Sequence, residues 1–249
     1  MVLLWLVLAW SQPAIAADWA TIQQRHQLTI AVKDNLRPLG FKDVSTGELV
    51  GFEIDLARYL AQELLGNAQG LKLLPVSNLE RLPTLWSGEA DLVIARLSVT
   101  GPRARLVDFS TPYYVDGTML VTRQTSLTRL EDLTDQVIAV LEGSSTIAAL
   151  QATLPQARLV AVNSYQAALE ALEAGQAVVF AADASVLSGW MQEYPAYRQV
   201  GPLLSAETLS VAMPKGLAST ELRVRVNRIL EQARTQGWLQ QRASAWGLP

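Results

Sequence analysis

Leu85-Trp86-Ser87-Gly88-Glu89-Ala90-Asp91-Leu92-Val93-Ile94-Ala95-Arg96 has a near echo at Leu172-Glu173-Ala174-Gly175-Gln176-Ala177-Val178-Val179-Phe180-Ala181-Ala182-Asp183. Each stretch reads as a helix end, a glycine stop, a polar residue and Ala, then a buried strand. An ordinary helix-to-strand junction has the same pattern, so two readings stand: coincidence, or a chain of two similar α/β lobes. In the second case Arg96 and Asp183 occupy equivalent strand ends. Open α/β sheets bind ligands outside the carboxyl ends of their strands. Two such edges facing each other form a cleft with opposite charges on its walls.

Working outward, strands and helices alternate. Leu28 to Val32 is a short apolar strand. Glu53 to Leu65 sets Ile54, Ala57, Leu60, Ala61, Leu64 and Leu65 on one helical face, and Gly66 stops it. Leu71 to Leu74 reads as strand, and Asn78 to Trp86 as a helix capped by Asn78. The pattern restarts with a strand at Val137 to Val140, a helix from about Thr146 and a strand at Leu159 to Ala161. A helix over Tyr165 to Ala174 and the strand Val178 to Ala182 follow, and amphipathic helices Thr220 to Arg234 and Trp238 to Trp246 close the chain. Such alternation predicts an α/β fold with mostly parallel sheets.

The composition narrows the function. The chain has 249 residues, 50% apolar and 17% charged, with a formal net charge of −3, one histidine and no cysteine. Half of it can enter a core, which excludes a disordered tail. Disulfide, zinc-thiolate and thiol chemistry are excluded. The acidic balance leaves no basic footprint for nucleic acid. The length is near the point where one core becomes two.

Val2 to Trp10 is an unbroken apolar run, and Ala14-Ile15-Ala16 is a small-x-small cleavage site. Residues 1–16 are therefore expected to be a signal peptide. The run is shorter than the 20 or so apolar residues of a spanning helix. No Lys or Arg precedes it, and no cysteine follows the cleavage site, which excludes a lipid anchor there. The processed chain is expected to be soluble and periplasmic.

Catalytic and metal signals are thin. His26 stands beside Arg25 before the first strand, with no G-x-S-x-G elbow in the chain, and reads as a surface residue. Glu131-Asp132 and Asp135 do not have the spacing of a calcium loop. Glu142-Gly143-Ser144-Ser145-Thr146 follows a strand and opens a helix, a turn that can offer N–H groups to an anion, although Ser and Thr are also ordinary caps. In Ser98-Val99-Thr100-Gly101-Pro102-Arg103, Thr100 is a good cap and Pro102 suits the first turn. Arg103 then opposes the helix dipole. Either an anionic ligand or a surface pairing with Asp108 or Glu89 accounts for it, and Arg can hold a carboxylate through two parallel hydrogen bonds.

Gly51-Phe52-Glu53-Ile54-Asp55-Leu56, with Leu60-Ala61 and Leu64, resembles the signature of bacterial extracellular solute-binding proteins, family 3. The resemblance continues through Asp91 to Ala95, Ser98 to Thr100, Arg103 and Val107-Asp108-Phe109-Ser110-Thr111-Pro112-Tyr113-Tyr114, then Leu130 to Gly143, Asp183 and Ala212 to Gly216. It covers about residues 27–248. It implies the two-lobed type II periplasmic-binding-protein fold: α/β, two Rossmann-like lobes joined by two hinge strands. Lobe 1 falls at 27–112 plus 210–249, lobe 2 at 118–205, and the hinges near 113–117 and 206–209.

The implied function is an amino-acid receptor of an ABC importer. It works by capture and hinge closure, without a cofactor or metal. Its expected partners are a small amino acid and an inner-membrane permease, and it is expected to be a monomer. By resemblance Arg103 clamps the ligand α-carboxylate and Ser98 contacts it. The Ala95 carbonyl and the Asp183 carboxylate take the α-ammonium. Ser144 and Ser145 lie in a turn that offers N–H donors to the carboxylate. Phe52 keeps the aromatic of the signature, and Leu36 stands where relatives pack an aromatic on the ligand. Lys33, with Asp34 next to it, stands where relatives often carry Asp, and Arg96 replaces a small residue. The expected ligand is a polar amino acid, with uncharged ones second: Lys33 and Arg96 in one pocket favour an acidic side chain. The alternatives are that they pair with Asp34, Glu142 or Glu48, or that Asp34 faces the pocket. An enzyme on the same fold, dehydrating a prephenate-type acid with Glu142 as its carboxylate, and a ligand-sensing module are the other functions weighed.

Overall fold

The computed structural model describes residues 18–249, so the segment read at 1–16 lies outside the described residues. Helix α1 (Trp19–Arg25) is capped by the Asp18 side chain, which accepts from the Thr21 N–H at 2.7 Å. His26 ends it in the left-handed region and is exposed. Strand β1 (Leu28–Val32) is buried at every residue. The short strands β2 (Asn35–Leu36), β3 (Gly40–Lys42) and β4 (Leu49–Val50) pair as a small sheet of their own. Helix α2 (Phe52–Leu65) follows, then β5 (Leu71–Pro75), α3 (Pro83–Trp86), β6 (Leu92–Ile94), α4 (Gly101–Leu106) and the long strand β7 (Val107–Asp116).

Next come β8 (Thr118–Thr122), β9 (Val137–Leu141), α5 (Thr146–Thr153), β10 (Arg158–Val162), α6 (Tyr165–Glu173), β11 (Val179–Asp183), α7 (Ala184–Glu193) and β12 (Arg198–Gln199). Strand β13 (Glu207–Pro214) returns the chain to the first sheet, and α8 (Thr220–Thr235) and α9 (Trp238–Ala245) close it.

The two large sheets have matching orders, β5-β1-β6-β13-β7 and β10-β9-β11-β8-β12. The sequence echo is thus a repeated position. Strands β6 and β11 are central in their sheets, and each follows a glycine at positive φ, Gly88 at 73° and Gly175 at 69°. A residue with a Cβ is disfavoured there, so glycine serves the same turn in both lobes. Three strands in each sheet are parallel, as expected. The others differ: β13 runs antiparallel to β6 and β7, and β8 antiparallel to β11 and β12. Strand β7 leads out of the first sheet through Gly117 into β8, and β13 comes back beside β7 with Glu207 opposite Asp116.

In lobe 1, α2 buries Phe52, Ile54, Leu56, Ala57, Leu60 and Ala61 against the sheet and α8. In lobe 2, Phe180, Leu187 and Trp190 pack on one face of the sheet, and Ile138, Val140 and Leu150 on the other. Burying each large apolar side chain contributes roughly 1.5–3 kcal/mol. The helix expected over Asn78 to Trp86 is shorter. Residues 78–82 form a turn, and α3 begins only at Pro83. The Ser77 N–H donates to the Glu80 carboxylate at 2.7 Å, and Arg81 Nε donates to the Asn78 carbonyl at 3.0 Å. These bonds close the turn, and proline suits the first helical position rather than the interior.

Candidate functional site

The carboxyl ends of β1, β5 and β6 converge on one cavity of about 510 Å³ between the lobes. Lys33 and Leu36 reach it from beyond β1, Arg81 from the turn after β5, and Arg96, Ser98 and Arg103 from beyond β6. Tyr165 of α6 and Val186 of α7 form the opposite wall. Four of these side chains are cationic, and among the described residues no Asp or Glu lines the cavity. Asp34 lines a separate cavity with Arg37 and Phe41, so Lys33 is the one that faces the cleft.

Arg103 is positioned by α4. Thr100 caps the helix by accepting from the Arg103 N–H at 3.4 Å. The guanidinium Nη1 donates to the Ser98 carbonyl at 3.0 Å and to the Ser98 hydroxyl at 2.8 Å. Asp108 pairs instead with Lys215 and Arg223. Ser98 therefore orients Arg103 without neutralising it. Lys33 is 5% exposed and donates to the Val76 carbonyl at 2.8 Å, again without a counter-charge. Arg81 Nη1 donates to the carbonyls of Ala95 at 3.1 Å and Arg96 at 2.9 Å.

Crowding of like charge marks this wall. Burial, then the neighbouring Arg103 and Arg96, brings the Arg81 guanidinium down to about 10. Burial and then Arg96 lower Arg103, and burial and then Arg81 lower Lys33. Like charges brought together in a partly desolvated wall repel one another. An anion placed among them relieves that repulsion.

Among the described residues, Arg96 alone on this wall has carboxylate partners. Its Nη2 lies 2.5 Å from Asp183 at the end of β11, and its Nε lies 3.4 Å from Asp116. Burial opposes the Arg96 charge, but Asp183 and Asp116 outweigh it and hold the group above its ordinary value. The Arg96 backbone sits at φ 47°, and its N–H donates to the Glu53 carboxylate at 2.8 Å. Tyr113 on β7 donates to the same Glu53 oxygen at 2.5 Å. Glu53 is fully buried, and burial raises its pKa against those two hydrogen bonds. Asp116 is fixed by the Ser185 N–H at 3.0 Å, the Ser185 hydroxyl at 2.5 Å and the Gly117 N–H at 2.9 Å.

The structure thus brings together Lys33, Leu36, Arg96, Ser98 and Arg103 at one cavity, with Asp183 joined to it through Arg96. Phe52 is a correction. It lies in the lobe 1 core, fully buried, with its ring 6.2 Å from Tyr113 and 5.8 Å from Tyr114, because it begins the apolar face of α2. Ser144 and Ser145 do not line the cavity. The Ser144 hydroxyl is buried with no hydrogen-bond partner among the described residues, and Ser145 donates to Glu207 on β13 at 2.9 Å. Ala95 is buried, and its carbonyl accepts from Arg81. Glu142 is exposed and outside the cavity lining. Arg81, Glu53 and Tyr165 were missed. Arg81 falls inside the helix expected over Asn78 to Trp86, and Glu53 at the start of the one expected over Glu53 to Leu65. No local signal in the sequence reveals that either turns inward.

A larger cavity, about 650 Å³, lies beside β7 and α9, but its charged residue, Arg234, already donates to the Pro112 carbonyl. Among the described residues no group of three or more His, Asp or Glu is placed to hold a metal ion, and no helix is long and apolar enough to cross a membrane.

The geometry of this cleft can be set beside known proteins. The family model for bacterial extracellular solute-binding proteins, family 3, matches residues 28–249. The chain belongs to that family. The glutamine-binding protein of Geobacillus stearothermophilus is 30% identical over 196 residues, covering 78% of this chain and 75% of that protein. The ABC transporter glutamine-binding protein GlnH of Bacillus subtilis is 29% identical over 221 residues, 88% of this chain and 80% of that one. Among solved structures, an ancestral cationic amino acid solute-binding protein superposes with a TM-score of 0.79 at 28% identity, covering 92% of this chain and 99% of that one. The type II two-lobed fold and the place of this family 3 protein among solute receptors, rather than enzymes, follow from these likenesses.

Proposed function

We propose that this family 3 protein is a periplasmic receptor that captures an acidic solute of amino-acid size between its lobes and delivers it to an ABC permease. The observation that carries this is the cavity lined by Lys33, Arg81, Arg96 and Arg103, with no carboxylate in its wall among the described residues. Arg103, held by Ser98, presents its remaining N–H donors to one ligand carboxylate. Lys33 and Arg81 supply charge for a second. The relatives named above bind glutamine or cationic amino acids. In this cleft a cationic side chain meets like charge, which supports an acidic ligand.

Capture proceeds by hinge closure about β7 and β13 between lobes at 27–112 plus 210–249 and 118–205. Gly189 of α7 supports this. A Cβ there would stand 2.5 Å from the Arg37 carbonyl oxygen of the facing lobe. Gly189→Val is therefore expected to weaken ligand binding at least tenfold while the unliganded melting temperature moves by only a few degrees. Unchanged affinity in titration calorimetry would show that α7 does not close on that loop.

A thermal-unfolding screen against the twenty amino acids and simple dicarboxylic acids tests the function. Ligand at 100 times its dissociation constant adds about 2.7 kcal/mol. The acidic compounds are expected to raise the melting temperature, and arginine and lysine to leave it unchanged. Stabilisation by arginine or lysine alone would refute an acidic-solute receptor.

A further inference from the structure

We infer that the cleft takes small dicarboxylates lacking an α-amine, such as 2-oxo diacids and simple diacids, in preference to the matching amino acids. This rests on the cleft being the solute site proposed above. An α-ammonium needs acceptors, and the two that the resemblance assigns to it are both filled by guanidinium groups of this chain. Asp183 holds Arg96 at 2.5 Å, and the Ala95 carbonyl accepts from Arg81 at 3.1 Å.

Arg96 is not a loose surface group. Its backbone N–H is tied to Glu53, and Asp116, the second carboxylate beside its guanidinium, is itself held by Ser185 and Gly117. A ligand amine reaching Asp183 must displace a guanidinium and leave it beside Arg81 and Arg103 with only the more distant Asp116, at 3.4 Å, as a carboxylate partner. The pair is partly buried, and separating it forfeits both the charge attraction and the hydrogen bond between the two groups.

The remaining groups suit anions. With Arg96 matched by Asp183, the cavity keeps Lys33, Arg81 and Arg103 as cations without carboxylate partners. A dicarboxylate brings two negative charges to them. An acidic amino acid brings the same two with a positive charge that finds no free carboxylate on the cavity wall. The other polar groups lining it, such as Ser77, Asn78 and Tyr165, are neutral and can serve a keto or hydroxyl oxygen.

Titration calorimetry of the full processed protein with glutamate, 2-oxoglutarate and glutarate tests the inference, in the wild type and in Arg96→Asn. Asn tolerates the left-handed backbone at this position and removes the guanidinium. The wild type is expected to bind 2-oxoglutarate or glutarate at least tenfold tighter than glutamate. Arg96→Asn is expected to shift that ratio at least tenfold toward glutamate, because Asp183 becomes free for the amine. Tighter wild-type binding of glutamate overturns the inference and leaves the acidic-solute receptor standing. An unchanged ratio in a folded Arg96→Asn overturns the role of Arg96. Silence toward all three acids overturns the cleft assignment itself.

Discussion

Arg103→Ala is expected to weaken binding of the acidic solute by at least about 25-fold, while the protein stays folded. The guanidinium is anchored on Ser98 through one nitrogen and keeps its other donors toward the cavity. Losing one partner of a desolvated, hydrogen-bonded charge pair costs about 2–5 kcal/mol, and 1.4 kcal/mol is a factor of ten. The fold is spared because α4 uses only the Arg103 backbone N–H for its cap, which Ala retains. Arg103→Lys should fall between the two, keeping charge but losing the fork geometry. Titration calorimetry reads both variants. Affinity within twofold of wild type in Arg103→Ala would remove Arg103 from the site.

Phe52→Ala is expected to destabilise the protein by about 3–5 kcal/mol, the usual cost of truncating a fully buried aromatic. Phe52 begins α2 and meets Tyr113 and Tyr114 on β7, so its ring joins the helix to a strand that runs between the lobes. At roughly 2–4 °C per kcal/mol for a chain of this size, the melting temperature should fall by about 6–20 °C. Binding by the variant that remains folded at low temperature should stay near wild type, because Phe52 does not line the cavity. A loss of less than about 1 kcal/mol with a large loss of affinity would return Phe52 to the ligand.

Arg103 and Phe52 differ in how much of their setting the sequence records. The echoed segments ending in Arg96 and Asp183 could be read locally, because a glycine stop and a buried strand leave a plain pattern. Their meeting across the cleft follows from the matching sheet orders. The Thr100 cap was legible for the same reason, since cap chemistry acts over three residues, but it left open whether Arg103 meets an anionic ligand or pairs with Asp108 or Glu89. Phe52 was misplaced because a signature aromatic next to a site and a core aromatic look alike until the packing is known.

Arg81 was illegible for a different reason. Its segment carries a helical pattern, but Pro83 and the Ser77–Glu80 hydrogen bond replace the expected helix with a turn. That turn aims Arg81 at two carbonyls beyond β6. Glu53 was hidden by its helix. A carboxylate on the first turn of α2 suits the dipole at the surface, yet here it is buried to hold the Arg96 backbone and Tyr113. Both placements depend on contacts some 14 to 60 residues away in sequence, which no local pattern records.

The relatives sharpen the same point. At 29–30% identity the scaffold is retained across most of both chains. The charge of the cavity is set by few side chains, and Lys33, Arg81, Arg96 and Arg103 give this one its sign.

The most direct test of a cationic cleft that selects acids is the NMR signal of the arginine side chains during titration with glutamate and with 2-oxoglutarate. The Nε–Hε resonances of Arg81, Arg96 and Arg103 are expected to move together and saturate with one dissociation constant, while those of Arg225 and Arg129, which pair with surface carboxylates, stay in place. Saturable binding with the three cleft resonances unmoved, or no response to either acid, would contradict it.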